Sequence, residues 1–172
     1  ICEVVTGPVS AEVVSLQHED MIAEATELGQ IAKNIVIKLP CTVDGLRACK
    51  TLSDRDIKVN MTLCFQPLQA MLVAKAGAFL VSPFLGRIDD IGGDGMDLVQ
   101  EIRTIYDNYG YETQILAASI RNPMHIIKCA EVGADVATCP LSAILGLMKH
   151  PLTDIGLAQF LADYNKVNAV TA

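Results

Sequence analysis

NIVIKLP, residues 34–40, decides the reading of this chain. The β-branched run Ile35, Val36, Ile37, closed by Leu39 and Pro40, suits a strand rather than a helix. A strand apolar on both faces belongs in a parallel sheet covered by helices. Lys38 breaks the run. An ammonium in such a place must find a partner, reach water along its own stem, or give up its proton.

The flanking sequence repeats the pattern. Short apolar runs at 9–15, 34–40, 58–65, 79–87 (the last with its loop), 112–120 and 135–140 read as strands. Amphipathic stretches at 18–32, 43–54, 67–76, from the glycine-rich 92–95 to about 108, 123–132, 141–148 and 154–167 read as helices. Strict alternation predicts an α/β domain with a parallel sheet. There is no G-x-G-x-x-G after a strand, so the dinucleotide-binding fold gains no support. Six strand–helix units do not close an eight-stranded barrel, and two absent leading units would account for the difference.

Composition narrows the function. The chain has 172 residues, about half of them apolar, and a net charge of −7 without a basic stripe. That suits one domain (residues 1–172) with a sizeable core and argues against nucleic-acid binding. Lys75 interrupts the longest apolar stretch, so no membrane span is expected. Six cysteines without a C-x-x-C pair, several inside apolar segments, read as reduced, buried thiols of a cytoplasmic protein, and His18, His125 and His150 lack metal-ligand spacing. Neither metal nor cofactor is expected. The chain opens on Ile-Cys-Glu-Val-Val, without Met and within a helical pattern, so its true start is expected to lie upstream.

Polar residues recur near the predicted strand C-termini: Glu12, Lys38, Asn60 with Thr62, Ser82 with Arg87, Ser119 with Arg121, and Thr138. In α/β barrels that face holds the active site. Singly, each reads equally well as a satisfied buried polar group. For Lys38, desolvation that lowers its pKa from ~10.4 by ~3 units would yield a nucleophilic amine, the requirement of a Schiff-base lysine. Glu12, on the neighbouring strand, is its natural partner, directly or through water, either as a structural ion pair or as an acid–base group. Arg121 stands at a strand end just before a helix start, and Arg87 beyond another, which suits a phosphate monoester. The alternative is that Arg121 pairs with a surface aspartate.

GPVSAEVVS (7–15), VIKLP (36–40), VNMTLCF (59–65), VSPFLGRIDD (81–90), YGYETQILAASIRNPMH (109–125) and HPLTDIGLAQF (150–160) together resemble the small transaldolase family, which includes fructose-6-phosphate aldolase. The resemblance runs over essentially the whole chain. It implies a (β/α)8 TIM barrel with an extra C-terminal helix and a metal-free Schiff-base mechanism on sugar phosphates. By motif, Lys38 corresponds to the imine-forming lysine and Glu12 to the residue holding a catalytic water, which Thr62 also contacts. Asn60 lies beside the imine, Ser82 meets a sugar hydroxyl, and Arg87, Ser119 and Arg121 form the phosphate site. Glu12 and Phe84 follow the transaldolase branch, where the aldolase branch has Gln and Tyr.

The family's first two strands, with an L-D-T aspartate and a T-N-P asparagine, have no counterpart here. The expected activity is transfer of dihydroxyacetone from fructose 6-phosphate or sedoheptulose 7-phosphate to erythrose 4-phosphate or glyceraldehyde 3-phosphate, in the non-oxidative pentose phosphate pathway. The alternatives are an aldolase that releases free dihydroxyacetone and an inactive sugar-phosphate-binding module. Ile155, Leu157, Phe160 and Leu161 form an apolar stripe for which a ring of barrel helices has no slot. The resemblance implies a pentamer or decamer built through this helix.

Overall fold

In the computed structural model, residues 1–170 are described. By contact the chain divides into one unit of residues 1–139 and a second from Pro140 onward. The first alternates β1 (Val9–Glu12), α1 (His18–Gly29), β2 (Ile35–Pro40), α2 (Val43–Ser53), β3 (Val59–Cys64), α3 (Pro67–Lys75), β4 (Leu80–Pro83), α4 (Leu85–Asp89), α5 (Gly95–Tyr109), β5 (Gln114–Ala117), α6 (Pro123–Val132) and β6 (Val136–Ala137). The six strands are all parallel and lie in sequence order, curled into a half-barrel. The second unit holds α7 (Leu141–Gly146) and α8 (Pro151–Val170).

Local chemistry sets the helix ends. The side chains of Thr42, Asp94 and Asn122 accept backbone N–H bonds at the starts of α2, α5 and α6, and proline opens α3 and α6. Gly110 and Gly133 close α5 and α6 in left-handed conformation.

Alternation along the strands answers the question raised by Lys38. Ile37, Leu39 and Met61 are fully buried on the helix-facing side, where their apolar area drives packing. Lys38 points to the opposite, inner face, in register with Glu12 on β1 and Asn60 on β3.

Several elements depart from the sequence reading. The predicted 79–87 segment stops being a strand at Pro83, and Leu85–Asp89 form a one-turn helix, so Arg87 is helical. Gly86 makes this possible, since a Cβ there would lie 2.1 Å from the Ser119 carbonyl oxygen. β6 has two residues, both exposed, and among the described residues it pairs with β5 alone. Residues 2–4 form a turn, not a helix. Finally, α8 begins at Pro151, three residues before the predicted start.

All six cysteines are free thiols. Among the described residues, no helix is long and apolar enough to cross a membrane, and no group of three His, Cys, Asp or Glu is placed to hold a metal ion.

Candidate functional site

The inner face gathers most of the polar strand residues. Lys38 Nζ donates to Glu12 Oε2 at 2.8 Å, so the two groups 26 residues apart meet directly. The lysine side chain is 24% exposed and that of Glu12 49%, so on this six-stranded sheet the pair is partly open to solvent. The reason is geometric: the inner face of a half-barrel is a concave wall, not a closed core.

Beside this pair the wall is drier. Ser82 Oγ donates to Asn60 Oδ1 at 2.7 Å, and Asn60 Nδ2 donates to Ser10 Oγ at 3.1 Å. Asn60 and Ser82 are both buried, and the Ser10–Asn60–Ser82 chain fixes the amide across three strands. With Lys38 they line a cavity of about 170 Å³, together with Phe84, Ser119 and Thr138. Larger clefts, about 620 and 720 Å³, open among residues such as Asn34, Lys58 and Gly77 at the opposite ends of the strands, away from the paired charges.

Thr62 is in register with Pro40 and fully buried. Its Oγ1 has no hydrogen-bond partner, a condition shared among the described residues only with Arg103 Nε. Buried hydroxyls are normally paired, so this one is out of the ordinary. The next residue, Leu63, has φ +57° where the β3–β4 register shifts. A branched residue in left-handed backbone stores about 1–3 kcal/mol. Ser119 does the same at φ +62° after β5. Both strained positions lie at strand C-terminal ends.

The two arginines sit beyond this wall. The Arg87 guanidinium lies 5.0 Å from the centre of the Phe84 ring, and Phe84 meets Phe65 edge-on at 5.9 Å. Arg121 pairs with Asp90 at 2.6 Å, both half exposed, so the surface-aspartate alternative describes its contact. Such a pair contributes only ~0–1 kcal/mol and yields readily to a better anion. Gly86 holds α4 against this loop, because a Cβ there would come within 2.8 Å of Arg121 Cγ and Nε.

Local sequence does not mark Ser10, Asp89, Asp90 or His125 as site residues. Ser10 carried a usable signal, two residues before Glu12 on the same strand face. The other three carried none, because their partners lie across separate loops.

Fold and site together define an α/β half-barrel with a paired lysine and carboxylate at its strand C-terminal face. The family described as Transaldolase/Fructose-6-phosphate aldolase matches residues 1–171, and the chain belongs to it. A protein of Flavobacterium psychrophilum named "Probable transaldolase" is 60% identical over 168 residues, covering 98% of this chain and 77% of that protein. One of the same name from Geotalea daltonii is 61% identical over 97% of this chain and 78% of its own length. Another from Thermodesulfovibrio yellowstonii is 56% identical with the same coverage.

Proposed function

We propose that this chain acts as a transaldolase in which Lys38 forms the covalent link to the donor ketose. The transaldolase class rests on relatives near 60% identity along almost the whole chain. The observation that carries the residue assignment is the 2.8 Å contact between Lys38 Nζ and Glu12 Oε2 at the mouth of the polar inner face.

In this reading the donor, fructose 6-phosphate or sedoheptulose 7-phosphate, enters beside the pair and Glu12 receives a proton from Nζ. The free amine adds to the C2 carbonyl, and the carbinolamine loses water to give the imine. The Thr62 hydroxyl, without a protein partner, holds that water together with Glu12. The C3–C4 bond then breaks: the C4 hydroxyl passes its proton, through the held water, to the Glu12 carboxylate, which is ionised again once the carbinolamine has lost water; an aldose phosphate leaves, and the bond's electron pair is held as an enamine. The protonated imine nitrogen is the electron sink, so the chemistry needs no metal. The enamine adds to the aldehyde of erythrose 4-phosphate or glyceraldehyde 3-phosphate, and hydrolysis frees Lys38.

Asn60 and Ser82, locked to each other, meet the hydroxyls of the bound three-carbon unit. Phe84 forms the apolar wall under Arg87. Arg87, Ser119 and Arg121 take the phosphate, with Arg121 exchanging Asp90 for it.

The six strands are read as a consecutive part of an eight-stranded (β/α)8 barrel, which the curled parallel sheet and the greater length of the relatives support. The exposed Ile155, Leu157, Phe160 and Leu161 on α8 support a homo-oligomer, a pentamer or decamer, assembled through that helix. Six free thiols suit a reducing, cytoplasmic setting.

Borohydride reduction in the presence of fructose 6-phosphate tests the reading. A stable three-carbon adduct mapped to Lys38 is expected, and an adduct on another lysine, or none, overturns it. Release of free dihydroxyacetone as the main product would assign the aldolase reaction instead, against which Glu12 and Phe84 weigh.

A further inference from the structure

His125, in the first turn of α6, is 8% exposed and has no part in the chemistry above. Its ring makes two bonds, and each leads to a different loop. The backbone N–H of Arg121 donates to Nδ1 at 3.2 Å, and Nε2 lies 2.9 Å from Asp89 Oδ2 at the end of α4. A backbone N–H can only donate, so Nδ1 is the bare nitrogen and Nε2 carries the proton given to the carboxylate. The other oxygen of Asp89 accepts from the Gly95 N–H at 2.8 Å, at the start of α5. The chain Arg121–His125–Asp89–Gly95 therefore ties the loop after β5 to the segment between β4 and α5.

Capping α6 does not require any of this. Asn122 already accepts the His125 backbone N–H at 3.1 Å, which satisfies the helix start. The imidazole bonds reach outward, and the elements that they join are those carrying Arg87 and Arg121. The contrast with the guanidinium is informative. Arg121's side chain is half exposed and, among the described residues, pairs with Asp90, so it is free to exchange partners. Its backbone is pinned by a buried ring.

We propose that His125 is a positioning residue: with Asp89 it fixes the spacing of the Arg87 and Arg121 loops, and so sets the affinity for the phosphate end of the substrate while leaving the imine chemistry alone. This rests on the reading of Arg121 as a phosphate contact. Without the brace, the Arg121 backbone relaxes and the two cations no longer converge on one anion.

The test uses the full-length protein and two readouts: the dissociation constant for inorganic phosphate by calorimetry, and kcat and KM for fructose 6-phosphate. His125→Ala is expected to weaken phosphate binding and raise KM about tenfold, the usual effect of losing one or two buried hydrogen bonds, with kcat little changed. His125→Asn places an amide oxygen near the position of Nδ1, and His125→Gln an amide nitrogen near that of Nε2; each should recover part of the loss. Unchanged phosphate affinity in a folded His125→Ala protein, a matching fall in kcat, or no recovery by either amide overturns the brace. Should the alanine protein not fold, the two amide variants decide: both bind phosphate more weakly than the native protein if the brace holds, and equally well if it does not. Arg121→Ala separates the two proposals. Unchanged phosphate affinity there removes the phosphate site and the brace together; a loss there with none in the His125 variants removes only the brace.

Discussion

Thr62→Val separates a residue kept for function from one kept for stability. The two side chains have nearly the same shape, and both suit a strand. Removing a buried hydroxyl that is paired within the protein costs about 1–3 kcal/mol. Thr62 is fully buried and its Oγ1 has no partner among the described residues, so no hydrogen bond seen in the fold is lost, and the desolvation cost of the hydroxyl is relieved. The expected change in stability therefore runs from zero to a gain of about 1 kcal/mol. For a chain of 172 residues that is a rise in Tm of up to ~2–4 °C. Activity should move the other way. If the hydroxyl holds the water of imine formation and hydrolysis, losing one such bond in the transition state is worth about 1.4 kcal/mol or more, a fall in kcat of about tenfold or more. Urea and thermal melts of the full-length protein, with a coupled assay for erythrose 4-phosphate-dependent turnover, measure both. A loss of stability above ~1 kcal/mol would show that the hydroxyl is paired within the resting fold. Unchanged kcat would remove Thr62 from the catalytic group.

Lys38→Arg and Lys38→Met should abolish turnover with the fold intact, since arginine stays protonated and methionine has no amine; activity within tenfold of native in Lys38→Arg would place the nucleophile elsewhere. Arg121→Ala should weaken phosphorylated donors more than free dihydroxyacetone, by ~1.5–3 kcal/mol for a lost charge-assisted contact, and equal losses would contradict the phosphate role. Deleting residues 153–172 should lower the mass in solution measured by light scattering, and an unchanged oligomer would show that α8 is not an assembly element. Glu24 Oε1 and Oε2 accept the N–H groups of Val14 and Ser15, and the Ser15 side-chain bond, followed by these backbone bonds, holds its carboxyl below the usual range. A depressed carboxyl stabilises the fold above its unfolded pKa, and that contribution is lost as pH falls through the lower folded value. Glu24→Gln should therefore flatten the acid side of the stability–pH profile by a small amount, and an unchanged profile would show the bonds to be worth nothing in solution.

The sequence by itself determined the alternating parallel architecture, because short apolar runs and amphipathic stretches are local signals, each read within a few residues. It also placed Glu12 and Lys38 on adjoining strands, since sequential strands of a parallel α/β sheet usually neighbour each other. It misread the stretch after Pro83, where what makes α4 is the space that Gly86 leaves for Ser119, 33 residues on. Tertiary structure alone decided that Lys38 meets Glu12 directly, since that contact depends on the register of β1 against β2 and on the two side chains' rotamers. It alone joined Ser10 to Asn60, left Thr62 without a partner, gave Asp90 to Arg121 and set His125 between two loops. Periodicity tells which face of an element a side chain occupies. Which atom it meets there is fixed by strand register and by the packing of loops far apart in the chain, and no local pattern encodes that.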